Sequence, residues 1–359
     1  MSTKPVLQKN RLVVLDHLRG FFIVVIIIDH LGRWPSFLSV FTGQALLWVT
    51  AAEGFVIISG LLIGYIRGFK NRLLSLKEVS IKLWRRALLL YVCSIIASLI
   101  YTSLIWYAPI VGGLPLILIE KGNWAELIFK TLTLQYTYMW VYFLTLYAVF
   151  LAASPLAIWL MRRQKSWVVI LLSLGIFIVG RIFQIEAMQW QALFFIPSVA
   201  GFHLEKIQAF WKRLMQHARV LIQVGAWALT LLTILVSVYF TFYADLSSSQ
   251  TISINMLFDR ENIGITPLRL VLAFVWFIGL FFLFQAVQRW IGKYLNWLLL
   301  PFGTRSLSAY IIHGLVIVAI SMETFAGESV LFNTALGIIC VLSVWALLKI
   351  PFIQKIIPT

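Results

Sequence analysis

An arginine and a histidine stand eleven positions apart in the first apolar stretch of the chain, LDHLRGFFIVVIIIDH. A helix turns about 100° per residue, so the side chains of Arg19 and His30 are expected within about 20° of one face. They lie about 16 Å apart along the axis, at a rise of about 1.5 Å per residue. Histidine ordinarily titrates near pH 6.5, so His30 could remove a proton from a hydroxyl group. The pattern predicts acid–base chemistry at one end of a helix and anion binding at the other.

Three carboxylates accompany this pair. Asp16 lies about 40° from the face of His30 and three residues before Arg19, so it either joins the site or forms an ion pair with Arg19 near the interface. Asp29 directly precedes His30 and either orients its imidazole or caps the helix. Glu53, in the second apolar stretch, has no neutralising partner within its own helix. It is therefore either protonated or faces His30 across a helix contact.

Several further side chains are candidates for substrate binding. His313 lies about ten residues into a late apolar stretch, as a substrate contact or as a buried histidine bonded to a carbonyl. Ser59 contacts substrate or only allows close helix packing. Arg85, Arg86 and Arg305 suit phosphate groups, because the guanidinium fork matches phosphate oxygens. No metal site is expected, since Cys93 and Cys340 lie in apolar runs without His or Cys at ligand spacing.

The elements that must position these residues are transmembrane helices. The chain of 359 residues is 61% hydrophobic and 12% charged, with a mean hydropathy of +0.94. Soluble domains are about 45–50% apolar and about 25% charged, so the sequence predicts an all-α, polytopic membrane protein. One transmembrane domain is expected over residues 1–359. Because a span needs roughly 20 apolar residues, ten spans are predicted, at 12–31, 44–66, 84–107, 139–160, 166–183, 189–204, 218–243, 268–288, 303–322 and 331–348.

The charges indicate an orientation for these spans. With the N-terminus inside, the cytoplasmic segments hold 22 of the 29 Lys and Arg residues. This bias predicts cytoplasmic termini in the cytoplasmic (inner) membrane. The net charge of +16 is then explained by topology and by attraction to anionic lipid. No nucleic-acid partner is expected.

Five stretches carry a resemblance to a known family. LDHLRGFFIVVIIIDH resembles the opening helix of the acyltransferase 3 superfamily, with the arginine, ten residues and a histidine met by Arg19 and His30. The late stretch PFGTRSLSAYIIHGLVI also fits that superfamily. Three further stretches resemble one branch of that superfamily, the OpgC-type osmoregulated periplasmic glucan succinyltransferases. These stretches are AAEGFVIISGLLIGYIRG, YFLTLYAVFLAASPLAIWLMRR and WQALFFIPSVAGFHLEK.

The resemblance implies a membrane O-acyltransferase. Its acyl group, succinyl or acetyl, would come from cytoplasmic acyl-CoA and go to a hydroxyl of an extracytoplasmic glycan. Acyl-CoA would be a co-substrate, with no tightly bound cofactor, and homo-oligomerisation stays open. A different reading is a glycan or lipid transporter or flippase without covalent chemistry, because intramembrane charges also mark substrate paths. No inverted repeat of the kind found in many transporters is visible in the sequence. A purely structural or sensor protein would leave the shared face of Arg19 and His30 unexplained.

Overall fold

Helices account for the regular structure of the described residues. A computed structural model describes residues 6–107, 117–244, 249–258, 264–323 and 329–356. Across these ranges the helices in chain order are α1 (Val6–Leu31), α2 (Phe37–Thr42), α3 (Ala51–Leu62), α4 (Leu76–Tyr107), α5 (Trp124–Leu132), α6 (Tyr142–Arg162), α7 (Ser166–Ile182), α8 (Glu186–Trp190), α9 (Ala192–Phe202), α10 (Leu204–Arg213), α11 (Gln216–Phe242), α12 (Ser249–Leu257), α13 (Pro267–Ala286), α14 (Gln288–Tyr294), α15 (Asn296–Thr304), α16 (Ser306–Glu323), α17 (Val330–Leu348) and α18 (Pro351–Ile356).

Among the described residues, six helical segments are long and apolar enough to cross a bilayer. They are α4, α11, α13, α17, the segment Met139–Arg162 that contains α6, and the segment Ala51–Lys70 that begins with α3. The helices α15 and α16 pass the same test only together, as a seventh, broken span that bends by 101° at Arg305. The prediction of an all-helical membrane protein is confirmed for the described residues. The count of ten spans, their orientation and the single domain stay predictions.

Two of the predicted spans have different boundaries in the structure. The span predicted at 189–204 is broken at Gln191, whose side chain bonds Ser173 of α7, and α9 that follows has only 11 residues. Eleven residues extend about 16 Å, well short of a hydrocarbon core about 30 Å thick. The span predicted at 303–322 begins inside α15 and continues only after the sharp bend. Pro197 and Gly201 lie within α9, and Pro301 lies just before the second stretch, so neither break was located from the sequence.

The helix α1 lies in the middle of the bundle. It packs against α3, α13, α15, α16 and α17. Gly20 and Gly303 allow the closest approach, because a Cβ at either position would lie about 2 Å from a carbonyl oxygen of the other helix, that of Leu299 or of Asp16. The backbones of α1 and α15 are therefore in direct contact. This contact fixes the rotation of α1 and hence the direction of its polar side chains.

A π-helix continues α3 from Ile63 to Lys70. Its end is held by Arg162, whose guanidinium donates to the carbonyls of Leu74, Arg67 and Asn71. π-Helical segments are rare and frequently occur at functional sites. This one borders a cavity beside α1, described below.

Candidate functional site

Two histidines from distant parts of the chain are hydrogen-bonded to each other. Nδ1 of His30 lies 2.8 Å from Nε2 of His313, and Nδ1 of His313 lies 2.5 Å from the carbonyl oxygen of Tyr310. A carbonyl only accepts, so Nδ1 of His313 carries a proton, and in the neutral imidazole Nε2 then accepts from His30. This assignment leaves Nε2 of His30 with a free lone pair. The arrangement, which we call the histidine end, suits His30 as a general base.

Aromatic rings form the wall behind the two histidines. The indole of Trp140 is stacked with the His30 ring, with centroids 6.1 Å apart and planes inclined by 20°. Tyr101 and Tyr138 pack edge-on against the same indole, and the hydroxyl of Tyr101 donates to the carbonyl of Ile311. Trp140 is 1% exposed and His313 is fully buried, whereas His30 is partly accessible. The wall therefore holds the ring of His30 while leaving it reachable.

Asp29 binds a loop, not the neighbouring imidazole. Its carboxylate accepts a hydrogen bond of 2.5 Å from the hydroxyl of Thr42 and another from the backbone of Ala45. Gln44 and Ala45 both have left-handed backbones, with φ of 55° and 57°. Non-glycine residues in this region cost of order 1–3 kcal/mol each and persist where surrounding structure holds them. Asp29 supplies that restraint beside His30. The expected contact of Asp29 with the His30 imidazole is therefore corrected, because the carboxylate bonds the loop instead.

Glu53 pairs with an arginine, not with His30. Its Oε1 lies 2.6 Å from Nε and 2.5 Å from a terminal nitrogen of Arg269, while its Oε2 caps α3 through the backbone and hydroxyl of Thr50. Glu53 is fully buried and Arg269 is 7% exposed. Both oxygens are thus occupied, and the expected contact with His30 is corrected. Sequence reasoning missed Arg269, although an arginine in the first turn of another apolar helix was a signal.

A cavity lies at the other end of α1, and we call this region the basic end. It has a volume of about 200 Å³, and Arg19, Arg67 and Arg86 line it. Arg19 donates to the carbonyl of Gly303 at 3.1 Å and lies 3.9 Å from the carboxylate of Asp16. Its Nε is buried and has no hydrogen-bond partner among the described residues. Buried donors are normally satisfied, so a cavity with this donor on its wall suits an anionic ligand.

The remaining predicted residues divide into those at the cavity and those away from it. Ser59 lines the cavity and donates to the carbonyl of Phe55. Arg85 has an exposed side chain, in contrast to the neighbouring Arg86. Arg305 donates to the carbonyl of Leu348 at 2.6 Å and so caps the end of α17. Arg67 was missed as a cavity residue, although it follows the second apolar stretch and begins its cluster of basic residues.

The helices α1 and α16 connect the two ends. The wall of the cavity includes Ser306 and Tyr310 of α16, and the carbonyl of Tyr310 also bonds His313. His30 of α1 bonds His313 of α16, and Arg19 of α1 lines the cavity that α16 also borders. One helix pair therefore presents arginine at one end and histidine at the other.

The sequence matches the model of a known protein family. A family model described as "OpgC protein" matches residues 11–351. The chain belongs to the OpgC family. Membership indicates an acyltransferase-like function on glycans, and the matched range contains both the histidine end and the basic end. Searches of curated proteins and of solved structures gave no match.

Proposed function

We propose that this chain transfers a succinyl or acetyl group from cytoplasmic acyl-CoA to a hydroxyl of an extracytoplasmic glycan. The observation that carries the proposal is the hydrogen-bonded pair of His30 and His313, joined through α1 and α16 to a cavity lined by arginines. The basic end would face the cytoplasm, where acyl-CoA is made, in agreement with the charge bias of the sequence. The histidine end would face the glycan, in the cytoplasmic membrane of the cell.

The chemistry assigns Nε2 of His30 as the base. Nε2 takes the proton of the glycan hydroxyl while the hydroxyl oxygen attacks the carbonyl carbon of the thioester. The new C–O bond forms, the C–S bond breaks, and the departing thiolate receives the proton from the imidazolium of His30. The products are an ester and CoA thiol, so no oxidant, metal or further co-reactant is needed for balance.

His313 acts as the group that orients the base. By accepting from Nδ1–H of His30, it fixes the tautomer in which Nε2 is unprotonated. Its own proton is held by the carbonyl of Tyr310. A carboxylate performs this task in a Ser–His–Asp triad. Here a neutral imidazole does so, which avoids burying an additional charge in the membrane interior.

The arginines of the basic end bind the donor. Guanidinium groups form charge-assisted hydrogen bonds with phosphate oxygens, and CoA carries three phosphate groups. Arg67 and Arg86 enter from the π-helix and from α4, while the buried Nε of Arg19 is a donor that no described side chain uses. Asp16 balances part of this charge near Arg19.

The decisive experiment is acyl transfer in vesicles that hold the purified protein. Isotope-labelled succinyl-CoA or acetyl-CoA is supplied on one side and an oligomeric glucan on the other, and the glucan is analysed by mass spectrometry. We expect ester formation only when the donor meets the basic end. His30→Gln, which retains hydrogen-bonding capacity but cannot act as base, should lower the rate by about 10²–10⁴-fold.

His217→Gln is the matched control, since His217 is an exposed histidine in the helix α11. It should leave the rate unchanged. Movement of unmodified glucan across the vesicle membrane, without ester formation, would contradict the enzyme and favour a transporter. If His30→Gln retained most of the wild-type rate, His30 would not be the general base.

A further inference from the structure

An apolar groove, separate from both ends of the candidate site, opens between α3, α9, α10 and α13. Its volume is about 410 Å³, and its walls include Leu61, Ala200, Ile278 and Phe281. Ile278 is 46% exposed. The groove is therefore open laterally, towards the space that the bilayer occupies. We call it the lateral groove.

The short helix α10 closes one end of the lateral groove. The four residues that it contributes to the groove follow the spacing i, i+3, i+4, i+7, which is one face of a helix: Leu204, Ile207, Gln208 and Trp211. The indole of Trp211 is stacked with the ring of Phe282 at 5.3 Å. Outside this face the helix exposes three basic side chains, Lys206, Lys212 and Arg213, against one acidic side chain, Glu205. A helix with one apolar and one basic face is typical of the membrane interface.

A buried polar atom lies on the same side of α13 as the groove. Gln285 follows Ile278 by seven residues and Phe281 by four, so the three side chains share a face. The amide oxygen of Gln285 is buried and has no hydrogen-bond partner in the part of the chain that the structure describes. It is an acceptor placed towards the end where α13 leaves the apolar region, at the level expected for the polar part of a lipid.

We propose that the lateral groove binds one acyl chain of an anionic phospholipid, whose phosphate lies against Lys212 and Arg213. The apolar walls match the hydrocarbon chain, and the charge of α10 complements the phosphate. Gln285 continues this face of α13 beyond Phe281 with a polar side chain, where the headgroup of the lipid would lie. A phospholipid fits this combination better than a second copy of the chain, because the exposed charges of α10 are positive in balance and a copy would present the same charge.

The test is native mass spectrometry of the purified, detergent-exchanged protein, followed by reconstitution with phosphatidylglycerol or phosphatidylcholine. The wild type should retain a phospholipid and prefer phosphatidylglycerol. Two variants fill the groove independently, Ile278→Trp and Ala200→Trp, and each should lose the bound lipid. Leu232→Trp is the matched control, because Leu232 is 59% exposed on α11 outside the groove. It should retain the lipid.

The headgroup contact is tested by Lys212→Glu and Arg213→Glu. Each should weaken the preference for phosphatidylglycerol by about fivefold or more, since a basic residue near an anionic surface contributes about a factor of five. Melting temperatures show which variants are folded, and one folded groove-filling variant is sufficient. Lipid retention equal to wild type in that variant would overturn the proposal. So would a bound mass equal to a second copy of the chain, or displacement of the lipid by acyl-CoA.

Discussion

The histidine end and the basic end differ in how their polar atoms are satisfied. At the histidine end, His313 is fully buried and both of its ring nitrogens are hydrogen-bonded. At the basic end, the Nε of Arg19 is buried and has no partner among the described residues. The first region is internally satisfied and held by stacked aromatic rings. The second keeps one buried donor, the Nε of Arg19, that no described residue satisfies. This difference separates two tasks, because proton transfer needs a fixed geometry and the binding of a large anion needs accessible donors. The predictions below test whether the two regions are divided in this way.

The largest effect is expected from changes to His313. His313→Ala removes the acceptor that fixes the tautomer of His30, so kcat for acyl transfer should fall by about 10²–10⁴-fold with little change in donor KM. His313→Gln offers an amide oxygen in place of Nε2 and should recover a substantial part of this loss. Steady-state kinetics in vesicles checks both. Equal loss in the two variants would mean that His313 itself gains and loses a proton.

The buried pair of Glu53 and Arg269 should affect stability more than chemistry. Arg269→Met leaves the Glu53 carboxylate buried without its partner and should cost about 3–5 kcal/mol of folding free energy. The double variant Arg269→Met with Glu53→Leu should recover most of this stability. Thermal unfolding in detergent measures the change. If Arg269→Met had a normal melting temperature but no activity, the pair would have a role in the reaction.

At the basic end, Arg86 and Arg305 are expected to differ although both are arginines. Arg86→Ala removes a donor from the cavity and should raise the KM for acyl-CoA by about 10–100-fold, since a hydrogen bond to a charged group contributes about 1.5–3 kcal/mol. Arg305→Ala removes the cap of α17 and should lower the melting temperature while leaving that KM unchanged. The opposite result would place the donor site near Arg305, as the sequence first suggested.

The smallest effect is expected at Asp29. Asp29→Asn weakens the hydrogen bonds to Thr42 and Ala45, so the loop that contains Gln44 should loosen by about 1 kcal/mol. We expect a higher KM for the glycan acceptor with an unchanged KM for acyl-CoA. Thr42→Val is the matched variant, because it removes the same hydrogen bond from the other side. A fall in kcat in Asp29→Asn but not in Thr42→Val would show that Asp29 acts in the reaction as a partner of His30.

The residues of one helix could be assigned from the sequence with considerable detail. The spacing of Arg19 and His30 predicted a shared face, and in the structure His30 bonds His313 of α16 while Arg19 lines the cavity that α16 also borders. The basic cluster after the second apolar stretch contains Arg86, which lines the cavity. The partners of the carboxylates were harder to predict from the sequence. Glu53 was expected near His30, and it pairs with Arg269 instead. Breaks within apolar stretches, as at Gln191, were also missed.

The sequence by itself determined the membrane class, the helical architecture, the family resemblance and the spacing of Arg19 and His30 along α1. These follow from local properties, because hydropathy and the helical period of about 3.6 residues need no knowledge of neighbouring helices. Only the tertiary structure decided that His30 meets His313, 283 positions away, and that Glu53 meets Arg269, 216 positions away. Such pairings depend on the relative rotation and axial shift of separate helices. Packing sets both quantities, as the contact of Gly20 with the backbone of Leu299 does for α1.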